Sequence, residues 1–194
     1  MLEIADIIGI IAFSISGFIV GVKERLDLLG IILSAYLTAL GGGVIRDVLV
    51  NREIFAFTNW MAGSIVLAVL IVGIFFKLHK FDVENNFVFV FSDSIGLVSF
   101  SISGAILAIE NNFSIFGVVF LSMITAVGGG MIRDVLINKI PFVLREKFYA
   151  TVSIIVGLIL YFFGTNVEVI VFTLIFGVIL RMLAYKYNWH LPKI

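Results

Sequence analysis

Apolar residues run along this chain in seven blocks, at about 4–22, 28–50, 58–76, 87–109, 113–137, 148–164 and 167–184. Inside each block they are continuous instead of alternating, which argues against the strands of a membrane barrel, where inward and outward residues take turns. A hydrocarbon core about 30 Å thick takes roughly 20 apolar residues per helix. The pattern therefore predicts seven transmembrane helices. The polar breaks between them, such as 23–25, 77–86, 110–112 and 138–147, are too short to be domains, so residues 1–194 read as a single membrane domain.

Composition sharpens this picture. Of the 194 residues, 61% are hydrophobic and 13% charged, and the mean hydropathy is +1.20; a soluble domain is about a quarter charged. Thirteen basic and thirteen acidic residues cancel, which points away from a nucleic-acid partner. With no cysteine, disulfides, thiolate metal sites and cysteine nucleophiles are excluded. Glu3 and Asp6 stand where a cleaved leader would carry basic residues, so the first block is expected to remain a membrane span. Lys23, Arg25, Lys77, Lys80, Lys139, Arg145, Lys147, Arg181, Lys186 and Lys193 are assigned to the breaks after blocks one, three, five and seven, against Arg52 alone on the other side. The positive-inside rule then puts the N-terminus outside and the C-terminus in the cytoplasm.

The chain also repeats itself. An offset of 87 residues pairs Asp6, Gly9, Phe13, Ser16 and Gly17 with Asp93, Gly96, Phe100, Ser103 and Gly104, and Gly-Gly-Gly-Val-Ile-Arg-Asp (41–47) with Gly-Gly-Gly-Met-Ile-Arg-Asp (128–134). Residues 6–55 and 93–142 share 22 identities in 50 ungapped positions. Shared lipid exposure would match Ile with Leu or Val, but it would not align glycine triplets, Arg, Asp and Asn in one register. Each unit, about 4–80 and 87–164, holds three spans. An odd number makes the second enter the membrane from the opposite side, giving the inverted repeat common among proteins that move solutes. The helix at 167–184 has no counterpart.

Candidate chemistry lies inside the spans. Three successive glycines weaken a helix by about 1 kcal/mol each relative to alanine, so Gly41, Gly42, Gly43 and Gly128, Gly129, Gly130 are expected to be helix-break hinges facing protein or water. The alternative is that they let neighbouring backbones pack closely. Arg46 and Arg133 follow each triplet. Their neighbours Asp47 and Asp134 are rotated by about 100° around the helix, so each arginine is expected to seek another partner, such as Asp6, Asp93 or the aspartate across the pseudo-axis, or to snorkel to the headgroups. Ser16 and Ser103 lie on the same stripes as Asp6 and Asp93, which suit either close packing or a wet pathway. The aspartates alternatively serve as acids at helix N-termini. Two arginines and four aspartates leave the interior at −2, which favours cations. No Gly-Lys-Ser/Thr follows the glycines, and His79 and His190 form no metal or triad spacing, so no enzyme, cofactor or metal site is expected. Lys77, His79 and Lys80, with Arg145 and Lys147, read as topology anchors in preference to anionic-lipid sites.

With both Gly-Gly-Gly-x-x-Arg-Asp motifs and the repeat in view, the chain resembles the prokaryotic trimeric intracellular cation channel (TRIC) family over nearly its whole length. The resemblance implies a homotrimer with a pore in every subunit, lined by spans one, two, four and five with kinked helices two and five at its centre. It implies passage of monovalent cations, chiefly potassium, and makes Arg46 and Arg133 pore-facing gating residues, with Asp6, Asp93, Asp47, Asp134, Ser16 and Ser103 beside them. The family has also been described as glycine transporters, so a secondary transporter of a small solute is the rival reading, and a membrane scaffold a distant third.

Overall fold

The computed structural model describes residues 1–76, 86–145 and 148–189. Lys77, His79, Lys80, Lys147, His190 and Lys193 lie outside the described residues, and the Arg145 side chain is likewise not described. The described chain is all-helical: α1 (Leu2–Lys23), α2 (Leu28–Leu49), α3 (Phe55–Thr58), α4 (Trp60–Phe75), α5 (Asn86–Glu110), α6 (Ile115–Leu136), α7 (Phe142–Arg145), α8 (Ala150–Phe163) and α9 (Val167–Lys186). Each of the seven apolar blocks coincides with one helix. Five of these, α1, α2, α5, α6 and α9, are long and apolar enough to cross a membrane. The other two, α4 and α8, have 16 and 14 residues, or about 24 and 21 Å at 1.5 Å per residue.

Sequence equivalence carries into local geometry. Asp27 caps α2 by accepting from the Gly30 amide at 2.7 Å, and Ser114, 87 positions later, caps α6 from the Gly117 amide at 3.4 Å. Past the far ends of α2 and α6, Asn51 and Asn138 take left-handed φ values of 53° and 59°. Asparagine tolerates this conformation, and it lets Arg52 and Lys139 donate their amides back to the carbonyls of Asp47 and Asp134.

The centre is a four-helix group in which α1 packs on α2 and α5, and α6 packs on α5 and α2. Helix α4 lies on α1 as α8 lies on α5, while α9 covers α5 and α8. Large apolar side chains such as Leu29, Phe75, Phe116, Phe120, Phe162 and Phe172 point outward, the inside-out pattern of a protein whose solvent is lipid. Together with length and hydropathy, this makes the chain a multi-pass membrane protein. An ion pair between Lys139 and Glu24 ties the turn after α6 to the turn after α1.

The glycine triplets correct an expectation. Neither Gly41, Gly42 and Gly43 nor Gly128, Gly129 and Gly130 breaks its helix; α2 and α6 run through them without interruption. Their use is close approach. A Cβ at Gly41 would stand 3.0 Å from the Gly129 Cα, one at Gly42 would collide with the Thr125 carbonyl, and one at Gly129 would collide with the Thr38 carbonyl. The helical bonds survive because contact between α2 and α6 offsets the poor propensity of glycine.

Candidate functional site

Three helices build the first charged cluster. Arg46 on α2 donates from Nη1 to Asp6 Oδ1 of α1 at 2.6 Å, from Nη2 to Asp6 Oδ2 at 3.2 Å, and from Nε to Asp47 Oδ1 at 2.9 Å. Nη2 also lies 2.8 Å from Asp47 Oδ1. Ser103 of α5 donates to Asp6 Oδ1 at 2.6 Å and itself accepts from Arg46 Nη1. Arg46 is 1% exposed. Its guanidinium is thus forked onto one carboxylate and flanked by a second, the geometry in which a planar donor set is strongest. Asp47 uses its remaining oxygen to accept the Phe55 amide at 3.0 Å, fixing the start of α3.

The second cluster uses the equivalent residues differently. Arg133 donates from Nε to Asp134 Oδ1 at 2.8 Å, and its Nη2 lies 2.7 Å from the same oxygen. Asp134 Oδ2 accepts the Phe142 amide at 2.7 Å, fixing the start of α7. The Arg133 Nη1, however, crosses to Thr38 Oγ1 of α2 at 3.2 Å, and among the described residues no ion pair joins it to Asp93. Asp93 instead accepts from Ser16 Oγ at 3.1 Å and lies within side-chain hydrogen-bonding reach of Tyr149.

Two expectations change here. The neighbouring aspartates do pair with the arginines, because the angle between adjacent Cβ positions does not confine the end of a long arginine stem, which folds back over the next carboxylate. Nor does either guanidinium snorkel: both are buried, Arg133 at 3% exposure, and inward-facing pairing is the usual arrangement for charge at membrane depth. The structure also moves Arg181 from the polar break to the interior. It lies within α9, is buried, and places its guanidinium carbon 5.1 Å from the centre of the Tyr149 ring. The buried charges among the described residues are therefore three arginines and four aspartates, a net −1 in place of −2.

A cavity adjoins each cluster. The first is lined by Asp6, Leu40, Gly43, Arg46, Phe55 and Phe100, among others. The second is lined by the repeat equivalents Asp93, Val127, Gly130, Arg133 and Phe142, with Phe13 in the place of Phe100. The rings of Phe13 and Phe100 stack at 5.4 Å between centroids, so the two cavities abut opposite members of one aromatic pair. Gly9 and Gly96 make that pair possible, since a Cβ at Gly9 would lie 2.9 Å from the Phe100 ring and one at Gly96 would overlap Phe13. Within each triplet only the third glycine borders a cavity. A Cβ at Gly43 or Gly130 would meet nothing nearer than the Nη2 of its own arginine, at 3.9 and 3.8 Å.

Asp6, Arg46, Asp47 and Ser103 thus come together in the first cluster and Ser16, Asp93, Arg133 and Asp134 around the second, whereas the first two glycines of each triplet lie at the contact between α2 and α6. Sequence reasoning missed Thr38, Tyr149 and Arg181. Thr38 carried a signal, since it pairs with Thr125 in the repeat. Tyr149 and Arg181 had no counterpart to mark them.

Comparison with known proteins places this arrangement. The sequence model of a family described as "Glycine transporter" matches residues 3–79 and 90–165. The UPF0126 membrane protein YvgT of Bacillus subtilis is 36% identical, over 98% of this chain and 95% of its own. Among solved structures, a prokaryotic TRIC channel crystallised in 0.5 M KCl superposes with a TM-score of 0.89 at 32% identity, covering 98% of each chain. A protein from a study of conductance through TRIC cation channels superposes with a TM-score of 0.86 at 34% identity, covering 99% of this chain and 96% of its own. The chain belongs to this family, the prokaryotic TRIC proteins.

Proposed function

We propose that this member of the TRIC family is a monovalent cation channel, chiefly for potassium, with a pore within each subunit of a homotrimer in the cell membrane. The single observation that carries the reading is the pair of repeat-equivalent cavities, each walled by a buried Arg-Asp cluster and both meeting at the Phe13–Phe100 stack. In this reading residues 4–80 and 87–164 are inverted three-span repeats, 167–184 is an added span, the N-terminus is outside and the C-terminus cytoplasmic. The pore runs between α2 and α6, the second and fifth spans, with α1 and α5 completing its wall. Membrane lipids cover the outward apolar side chains.

A positive side chain opposes a cation in a medium less polar than water. Here Asp6 and Asp47 compensate Arg46, Asp134 compensates Arg133 with Asp93 lining the same cavity, and Ser103 and Ser16 orient Asp6 and Asp93. Opening then requires the Phe13–Phe100 stack to part and one of the gating arginines, Arg46 or Arg133, to withdraw. The glycine triplets contribute by letting α2 and α6 approach one another as intact helices.

A second reading, secondary transport of a small solute such as glycine, is favoured by the description of the matching family and by the nearness of arginine and aspartate at the cavities. Purified protein in a planar bilayer under a KCl gradient separates the two. Unitary currents reversing near the potassium potential are expected. Saturable glycine uptake into proteoliposomes without unitary currents would overturn the channel reading.

A further inference from the structure

The two cavities are equivalent by sequence but not by pairing, and the difference traces to two residues outside the repeated pattern. In the first half, Arg46 holds Asp6 in a forked ion pair. In the second, Asp93 lines the same cavity as Arg133 but is engaged from elsewhere. Ser16 donates to it at 3.1 Å, Tyr149 lies within hydrogen-bonding reach, and both Arg133 and Arg181 are near enough to act on its charge. The position equivalent to Tyr149 in the first half is Ala62, fully buried, with no polar group to offer. Arg181 comes from α9, which has no counterpart at all.

The local backbone serves this contact. Phe148 takes a left-handed φ of 59°, a costly conformation for an aromatic residue, immediately before the residue that turns inward beside Asp93. Tyr149 is then held beside the second cavity: its ring meets Phe142 edge-on at 5.3 Å, Arg181 lies over it at 5.1 Å, and it lines the same cavity as Asp93.

We propose that Tyr149 and Arg181 are a positioning pair that holds Asp93 out of an ion pair with Arg133, so that α9 sets the two halves in opposite pairing states. The first half is locked, because withdrawing Arg46 would strand two buried carboxylates, Asp6 and Asp47. The second is poised. Withdrawing Arg133 breaks one ion pair, that with Asp134, while Asp93 keeps its bond from Ser16. Movement during opening therefore belongs to the Arg133 half. That last step rests on the channel reading, whereas the pairing itself does not.

The test is structure determination of the full chain carrying Arg181→Gln, with Arg181→Lys as the charge-retaining control. Without the competing cation, Arg133 Nη1 is expected to leave Thr38 and come within about 3 Å of an Asp93 oxygen, the distance of a charge-assisted bond. Arg181→Lys is expected to keep the native arrangement. Tyr149→Phe, which removes the hydroxyl but keeps the ring, is expected to shift the pairing in the same direction and serves if the glutamine variant fails to fold. Arg133 remaining on Thr38, with Asp93 unmoved, would overturn the proposal. A role in packing alone would lower stability in the lysine and glutamine variants alike, with no exchange of partners. Wild-type protein that passes no current would defeat the channel reading and leave this comparison of coordinates decisive.

Discussion

The clusters around Arg46 and Arg133 descend from one pattern of residues and reach different ends. Both carry the Arg-Asp dipeptide, the carboxylate 40 residues upstream and a serine from the opposite half. One closes on itself: Arg46 takes two carboxylates and a hydroxyl, and Ser103 completes the ring. The other stays open, with Arg133 divided between Asp134 and a threonine hydroxyl while Asp93 accepts from Ser16. Duplicated sequence therefore fixes which groups meet at a site, but competition from unduplicated neighbours decides which of them pair.

The largest test of this contrast is arginine removal. Arg46→Ala leaves Asp6 and Asp47 buried without their cation, and breaking a buried pair costs about 3 to 5 kcal/mol. Arg133→Ala strands one carboxylate, Asp134, and the expected loss lies at the lower end of that range, about 3 kcal/mol. Denaturant titration in detergent reads both values; an equal or reversed order would erase the distinction between a locked and an open cluster.

A smaller effect separates the glycines. Gly42→Ala and Gly129→Ala drive a methyl group into a carbonyl of the facing helix, an overpacking that costs about 1 to 3 kcal/mol. Gly43→Ala and Gly130→Ala would touch only the guanidinium of their own arginine at ordinary van der Waals distance and should be neutral or gain a little from helix propensity. Melting temperatures of the four variants measure this. If the third glycines proved as sensitive as the second, those positions would have a role beyond helix contact.

The finest comparison uses the serines. Ser103→Ala removes a group that both donates to Asp6 and accepts from Arg46, so its loss should exceed that of Ser16→Ala, whose hydroxyl makes one bond to Asp93 at 3.1 Å. About 1 kcal/mol is expected to separate them, the net value of one such bond. A double-mutant cycle between Ser103 and Arg46 should show coupling, and one between Ser16 and Arg133 should show little.

Most of the helical layout was legible because lipid solvent writes itself into composition. An unbroken apolar block long enough to cross a bilayer has few alternatives to a helix, and the repeat fixed which charged residues occupy equivalent places. The short helices α3 and α7 were not legible, since each begins where an aspartate eight residues earlier accepts a backbone amide, an event that local propensity does not announce. The glycine triplets misled for a related reason: helix propensity describes an isolated helix, whereas contact between α2 and α6 decided the outcome. Arg181 was hidden by its place in the last turns of an apolar block, where a flanking charge and a buried one look alike. Only the packing of α9 on α5 and α8 distinguishes them.

The crossed insertion of Phe13 over Gly96 and Phe100 over Gly9 bears on where such a molecule came from. A single unduplicated copy would own one plug and one socket that its own helix cannot bring together, so an ancestral half would have needed a sister chain to complete the contact. Joining two copies in one polypeptide makes that encounter independent of concentration. It also frees each half to diverge from its twin, as Tyr149 and Ala62 have done.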